Sequence, residues 1–318
     1  MAVFQEQEYN RPFDLKVWKK IFPFLRPYTF NLFVVIILNV VMALVDISMP
    51  LFQRYTIDHY IAGGTVQGIG WFTVLYAVAI VFQTIIVIVS TRQSMFIEMK
   101  TNRDMKHKAF VHLQTLSFSF YNVTPVGYLI ARVMSDTSRI SGMLAWGLMD
   151  VMWSAVYVLG VFVAMLLLNW KLALLVMLIV PIIALLTVYF QNKILHWNRK
   201  TRRINSQITG AFNEGISGAR TSKTLVIEQH NMKDFQGLTG DMQRASVKTQ
   251  LLSAVYIPSI MFLSSVATAL VLTRGGYLSM QGLMEIGTLS AFTSYAVGIF
   301  EPIQQIARIL ADIISAQA

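Results

Sequence analysis

Six long apolar runs constrain this chain more than any other feature of its sequence. Each run is close to the roughly 20 residues that an α-helix needs to cross a hydrocarbon core of about 30 Å. The runs lie at approximately 30–52, 71–90, 148–168, 172–190, 254–273 and 286–300. Because 55% of the 318 residues are hydrophobic and only 13% are charged, the chain has too little polar surface for a soluble globule. The sequence therefore predicts an all-α integral membrane protein with six transmembrane helices.

The distribution of Lys and Arg predicts which ends of these helices face the cytoplasm. Residues 1–26 contain five of these side chains, residues 91–139 contain seven and residues 192–250 contain ten. Only four lie elsewhere, and cytoplasmic segments of membrane proteins carry the excess of Lys and Arg. We therefore expect a multi-pass protein of the cell (plasma) membrane with cytoplasmic N- and C-termini. This topology also explains the net charge of +10 without nucleic-acid binding.

Two of the predicted cytoplasmic connections, at about 91–143 and 192–250, are long and keep a helical pattern. No Gly or Pro occurs from Trp71 through Phe120, and apolar residues recur there at helical spacing among polar ones. We predict that the second span continues as a helix far beyond the membrane and that the chain turns back near Pro125. A matching hairpin is predicted to turn between Gly210 and Gly218. Arms of this length indicate a cytoplasmic partner, since short loops would connect the spans equally well.

The residues before the first span suit a short helix in the lipid headgroup layer. Residues 1–25 mix apolar side chains with lysines, a composition typical of an interfacial elbow helix, and a frayed terminus is the alternative. Residues 26–318 are predicted to form one six-helix membrane domain.

Four local patterns spread over nearly the whole chain point to a known family. The segment SFSFYNVTPVGYLIARVMSDTSRI carries an aromatic pair, then a Gly, an Arg and an Asp-Thr pair. It resembles the first intracellular loop of the transmembrane domain of ATP-binding-cassette (ABC) exporters of the multidrug and lipid-flippase type, which have the type I exporter (type IV transporter) fold. NWKLALLVMLIVP resembles the outer turn into the fourth span of that domain, and FNEGISGARTSKTLVIEQHNMKDF resembles its second intracellular loop. TRGGYLSMQGLMEIGTLSAFTSY with EPIQQIA resembles its last outer turn and sixth span.

The resemblance implies that two cytoplasmic turns act as coupling helices, which seat in clefts of ATPase domains. The residues expected to make this contact are Ser119, Phe120, Tyr121, Asn122, Phe212, Asn213, Glu214 and Gly215. Phe120 and Tyr121 suit an apolar groove, and Glu214 suits basic partner groups. In the alternative interpretation the two aromatic residues staple their own hairpin and Glu214 caps a helix.

The resemblance also implies an assembly with ATPase domains. A homodimer or a heterodimer of paralogues would enclose a cavity that moves amphipathic drugs, lipids or peptides outward. The sequence contains no G-x-x-x-x-G-K-[ST] phosphate-binding loop, so we expect no cofactor in this chain and expect ATP and Mg²⁺ to be bound by a nucleotide-binding domain outside it. The histidines show no metal-ligand spacing and no catalytic constellation is recognisable. A channel-like or receptor-like bundle with a cytoplasmic regulator is the alternative function.

A few polar residues within the spans are candidates for the substrate cavity. A charge inside the membrane is costly, so Asp46 in the first span is expected to contact a cationic substrate or a facing helix. Gln304 and Gln305, in the sixth span, are expected to face the cavity. Arg308 and Asp312 have the i, i+4 spacing of an ion pair.

Overall fold

The computed structural model of the chain describes residues 19–317. Ten α-helices, joined by short 3-10 and π-helical segments, form this range. They are α1 (Thr29–Tyr55), α2 (Ile69–Gln114), α3 (Phe118–Val123), α4 (Val126–Ala131), α5 (Thr137–Gly142), α6 (Leu148–Ser217), α7 (Ala219–Leu225), α8 (Glu228–Met280), α9 (Ile286–Gly298) and α10 (Phe300–Gln317). No β-strand occurs in the described range, and the all-α class is confirmed. The predicted elbow helix falls mainly on residues 1–18, outside the described residues.

Four helical segments are long and apolar enough to cross a membrane. They are Arg26–Ala62, Ile69–Gln114, Val126–Ser217 and Glu228–Met280. The third holds two of the predicted spans, because the backbone of Asn169 is extended (φ −160°, ψ 103°) and interrupts the helix between them. The run at 286–300 is divided between α9, which has 13 residues, and the start of α10. A multi-pass membrane protein is thus supported, and the count of six spans stays a prediction.

The break at Asn169 has a local cause in the sequence. The Asn169 side-chain oxygen accepts hydrogen bonds from the backbone N–H groups of Lys171 and Leu172, both at 3.2 Å. An Asn in this position satisfies N–H groups that have no partner in the first turn of a helix. The short segment between the third and fourth predicted spans is therefore a capped tight turn.

The second predicted span continues well beyond its apolar run, as expected. Helix α2 runs without interruption for 46 residues, which corresponds to about 69 Å at 1.5 Å per residue. Its last 24 residues, 91–114, follow the apolar run and alone correspond to about 36 Å. The first arm, predicted to be cytoplasmic, is thus a helix and not an irregular loop.

Contacts divide the described residues into two units, and the first comprises residues 19–179 and 267–317. In this unit α1 packs against α2 and α9, and the Tyr295 hydroxyl donates a hydrogen bond to the carbonyl oxygen of Ile47 at 2.6 Å. A second buried cluster joins the start of α1 to α2 and to the residues before α6. It contains Leu25, Val35, Ile97, Leu144 and Ala145.

The second unit, residues 180–266, consists of the C-terminal part of α6, helix α7 and the N-terminal part of α8. Its two long helices pack through apolar side chains. The residues that they bury include Ile183, Ile204, Ala245, Tyr256 and Ile260. The Tyr256 hydroxyl also donates a buried hydrogen bond to Thr187 Oγ1 at 3.3 Å, so the two helices keep a fixed register.

Candidate coupling turns and polar contacts

The first of the two turns predicted to be cytoplasmic contains a separate short helix. Ser117 (φ −72°, ψ 156°) and Thr124 (φ −95°, ψ 121°) are extended and bound α3 on either side. The predicted coupling residues 119–122 are therefore helical, and their helix begins one residue earlier, at Phe118. Pro125 is also extended and starts the return into α4. This turn joins two helical segments through one and a half turns of helix.

The aromatic side chains of this turn have different environments. Phe118 is 89% exposed, whereas Phe120 is half-buried and its ring lies edge-on to that of Tyr121 at 5.6 Å. The Tyr121 hydroxyl donates a hydrogen bond to the Leu113 carbonyl oxygen at 2.6 Å. Tyr121 thus bonds within its own hairpin, which is the contact that the alternative interpretation describes. Phe118 is the aromatic side chain of α3 that is most available to a partner.

Sequence reasoning missed Phe118 although a signal was present. Residues two apart are related by a rotation of about 200° around the helix axis and so lie on nearly opposite faces. Phe118 therefore faces outward when Phe120 faces inward. The other two predicted residues lie on the surface. The hydroxyl groups of Ser119 and Ser117 are 2.7 Å apart, and Asn122 is exposed.

The second of these predicted turns differs from the expectation. The coupling helix that was expected to include Phe212, Asn213, Glu214 and Gly215 is not a separate element, because these residues belong to the last part of α6. The helix ends at Gly218, whose N–H donates to the Glu214 carbonyl oxygen at 2.7 Å. A Cβ atom at position 218 would lie 2.8 Å from that same oxygen, so this close approach requires glycine. The separate short helix of this turn is α7, at Ala219–Leu225.

The predicted residues of the second turn are all exposed. Phe212 is 54% exposed and its ring contacts that of Phe235 edge-on at 4.9 Å, which ties the end of α6 to α8. Within the described part of the chain the Glu214 carboxylate has no hydrogen bond or ion pair, so it does not cap a helix. Asn213 and Gly215 likewise leave a polar, open surface beside it.

Asp46 lies at a junction of three helices. Its Oδ1 accepts a hydrogen bond from Gln83 Nε2 of α2 at 2.6 Å, and its Oδ2 accepts one from Trp153 Nε1 of α6 at 2.8 Å. The Trp153 ring stacks on that of Tyr157 at 5.2 Å. Of the two expected contacts, the structure shows the one with facing helices. Both carboxylate oxygens are already bonded to neutral donors.

The two glutamines of the sixth predicted span have different surroundings. Gln305 Oε1 accepts a hydrogen bond from Ser154 Oγ at 3.2 Å. Gln304 is half-buried and makes no side-chain hydrogen bond within the described residues. The expected ion pair of Arg308 with Asp312 is not formed in this part of the chain.

An ionic cluster that the sequence did not reveal joins the end of α1 to the start of α9. Arg54 Nη2 donates to Glu285 Oε2 at 2.9 Å, and Arg54 Nε lies 3.5 Å from Asp58 Oδ2. The backbone N–H of Gly287, in the first turn of α9, donates to Asp58 Oδ1 at 2.6 Å. The hydrogen bond from Arg54 lowers the pKa of the Glu285 carboxyl below its usual value. Arg54 and Glu285 lie 231 positions apart in sequence, and Asp58 and Gly287 lie 229 positions apart.

Comparison with known proteins decides the family. The family model for the ABC transporter transmembrane region matches residues 32–303. The chain belongs to this family. The protein YgaD of Bacillus subtilis (strain 168), named provisionally as a multidrug export ATP-binding/permease protein, is 24% identical over 296 residues, which are 91% of this chain and 51% of that protein.

Two further relatives show the same partial coverage. SAB1799c of Staphylococcus aureus (strain bovine RF122 / ET3-1), with the same provisional description as YgaD, is 25% identical over 89% of this chain and 50% of its own length. Exp8 of Streptococcus pneumoniae serotype 4 (strain ATCC BAA-334 / TIGR4), named provisionally as an ABC transporter ATP-binding protein, is 25% identical over 93% of this chain and 51% of its own length. This ABC transmembrane domain therefore spans about half the length of the curated relatives that it matches.

Proposed function

We propose that this ABC transmembrane domain forms the translocation pathway of an ATP-driven exporter and is driven by ATPase domains seated on its two cytoplasmic turns. The observation that carries the proposal is the short helix α3, which presents an almost fully exposed Phe118 at the end of a long helical arm. An exposed aromatic side chain at the far end of such an arm suits an apolar pocket of a partner, because aromatic residues are common anchors of protein interfaces. The relatives are named as ATP-binding/permease proteins, so the proposed partner is an ATP-binding half.

The second turn supports the same proposal independently. Residues 191–217 of α6 follow the apolar run and extend about 40 Å beyond it. Ile216 near the end of this helix is 74% exposed, and Leu225 and Val226 in the turn that follows are 62% and 80% exposed. With the unpaired carboxylate of Glu214, this surface offers both apolar contact and an acceptor for basic groups.

In the proposed assembly the N- and C-termini are cytoplasmic and the protein resides in the cell membrane. Two such domains, identical or paralogous, enclose the pathway, and the substrates are amphipathic drugs, lipids or peptides. ATP and Mg²⁺ are held by the ATPase domains, since this chain has no phosphate-binding loop. Gln304 is the better pathway candidate of the three predicted residues, because Asp46 and Gln305 already bond to other helices.

The coupling role is tested with Phe118→Ala in the complete transporter, which includes the ATP-binding half. Loss of an aromatic anchor at the centre of an interface typically costs about 2 kcal/mol or more, so we expect substrate-stimulated ATP turnover to fall at least tenfold. The matched control is Phe110→Ala, which removes a 58% exposed ring from the same arm but outside the turn. Equal stimulation in the two variants would refute the coupling role of α3.

A further inference from the structure

An open groove of about 710 Å³ lies between α6 and α8 within the second unit. Its walls include Tyr189, Lys193 and Trp197 of α6 and Lys248, Leu251 and Val255 of α8. Tyr189, Leu251 and Val255 are more than half exposed, so the apolar wall is open to the surroundings. The groove is therefore amphipathic, with apolar side chains and ammonium groups side by side.

The groove sits where two predicted spans meet the polar part of the chain. The apolar run 172–190 ends beside Tyr189, and the run 254–273 begins beside Val255. Lys193, Trp197 and Lys248 lie on the polar side of these boundaries. Trp, Tyr and Lys in such positions are typical of the interface between the hydrocarbon core and water.

The charges around the groove have one sign. Residues 191–209 contain five Lys or Arg and no Asp or Glu. Lys248 faces them from α8, whereas Arg244, one turn earlier, pairs with Asp241 at 2.7 Å. The Lys193 ammonium lies 4.4 Å from the centre of the Tyr189 ring, and the Lys248 ammonium lies 4.6 Å from that of Trp197. Neither ammonium pairs with a carboxylate in the described part of the chain. The aromatic rings hold the two lysines in place but leave their charges uncompensated.

We propose that this groove binds an anionic phospholipid of the cytoplasmic leaflet. The lipid phosphate accepts hydrogen bonds from Lys193 and Lys248, and an acyl chain lies along Leu251 and Val255. Basic pockets between membrane helices on the cytoplasmic side bind anionic headgroups in this way. A soluble anion would use the charges but not the exposed apolar wall, which is why the occupant is a lipid. The proposal goes beyond the exporter function and rests only on the cytoplasmic orientation of this end.

The test uses Trp197 as a reporter in the full-length transporter, reconstituted in nanodiscs of zwitterionic phosphatidylcholine without nucleotide. Phosphatidylglycerol with brominated acyl chains is added in rising mole fraction, and the part of the tryptophan fluorescence that Trp197→Phe abolishes is followed. We expect this component to be quenched at mole fractions far below those at which brominated phosphatidylcholine quenches it. Each lysine near a membrane surface contributes about 1 kcal/mol, so Lys193→Gln with Lys248→Gln should raise the half-quenching mole fraction roughly 30-fold.

The matched control removes two exposed lysines elsewhere in the same unit, Lys223→Gln with Lys233→Gln, and should leave the half-quenching point unchanged. Equal quenching by the two brominated lipids would overturn the proposal and would mean that the groove is covered or unselective. Displacement by millimolar inorganic phosphate would also overturn it, in favour of a soluble anion. Because lipid binding is measured without ATP, its failure is distinguishable from a failure of coupling.

Discussion

Replacing Trp153 by Phe tests whether Asp46 is held by its neighbouring helices. The substitution removes the 2.8 Å hydrogen bond to Asp46 Oδ2 and keeps an aromatic ring to stack on Tyr157. In soluble proteins a hydrogen bond to a charged group contributes about 1.5–3 kcal/mol. Between membrane helices the measured values average about 0.6 and reach about 1.7 kcal/mol, because the unfolded chain finds other partners in the membrane. We expect the free energy of unfolding to fall by about 1–2 kcal/mol. The carboxylate acceptor makes the loss larger than the membrane average, and the remaining bond from Gln83 limits it.

The free energy of unfolding is measured by titration of mixed micelles with sodium dodecyl sulfate. Trp170→Phe is the matched control, because Trp170 is 59% exposed and donates no hydrogen bond in the described range. Trp153→Phe combined with Gln83→Leu leaves the carboxylate with no donor and should cost more than the sum of the two single changes. Adding Asp46→Leu should then recover much of that loss, because no charge remains inside the membrane. If Trp153→Phe destabilises no more than Trp170→Phe, Asp46 is not held as the geometry indicates.

Three further predictions concern the ionic cluster around Arg54 and the first turn. Gly287→Ala should destabilise the domain by about 1–3 kcal/mol in the same titration, because a methyl group there would clash with the backbone oxygen of Arg54. Gly276→Ala is the control, since its methyl group would meet no atom within 4 Å, and the change should be neutral or stabilising. Arg54→Gln should lower the thermal midpoint at neutral pH, and its difference from the wild type should shrink in acid. The reason is that Glu285, with a lowered pKa in the folded chain, stabilises it above the unfolded pKa and loses this effect as the pH falls through the folded one. Tyr121→Phe should speed amide hydrogen exchange across residues 113–124 by several fold, since one hydrogen bond contributes about 0.5–1.5 kcal/mol, and unchanged exchange would mean that the turn holds without it.

The sequence predicted the features of this domain that depend on local pattern. The long extension of α2 follows from the helical spacing of its apolar residues, and the break at Asn169 follows from a capping side chain next to the turn. The position of the second turn was predicted a few residues too early. A glycine inside a helix costs only about 1 kcal/mol, so Gly210 and Gly215 do not end α6, and the helix ends only at Gly218.

Contacts between distant parts of the chain could not be predicted from spacing. Asp46 and Trp153 are 107 residues apart, and Arg54 and Glu285 are 231 residues apart. Nothing in the local sequence distinguishes a carboxylate that binds substrate from one that accepts a hydrogen bond from a facing helix. Only the packing of α1 against its neighbours decides between the two.

Three polar residues of α1 share one face of the helix. Asn39, Asp46 and Gln53 are seven residues apart, and seven residues turn an α-helix by only about 20° less than two full turns. Each bonds across to a neighbouring helix. Asn39 bonds Ser90 of α2 at 3.2 Å, and Gln53 bonds Ser290 of α9 at 3.0 Å.

This row of hydrogen bonds fixes the rotation of α1 about its axis. Apolar side chains cannot do so, because they pack against lipid tails as favourably as against the apolar side chains of another helix. Asp46 is the middle member of the row. Changing Asp46 would therefore disturb helix packing before it tested substrate recognition, and a transport defect in Asp46→Asn could not be assigned to the pathway. Gln304 offers the cleaner test, because its half-buried amide bonds no other side chain in the described residues. A Gln304→Ala variant that shifts the substrate dependence of ATP turnover without changing the unfolding free energy would place the pathway on α10.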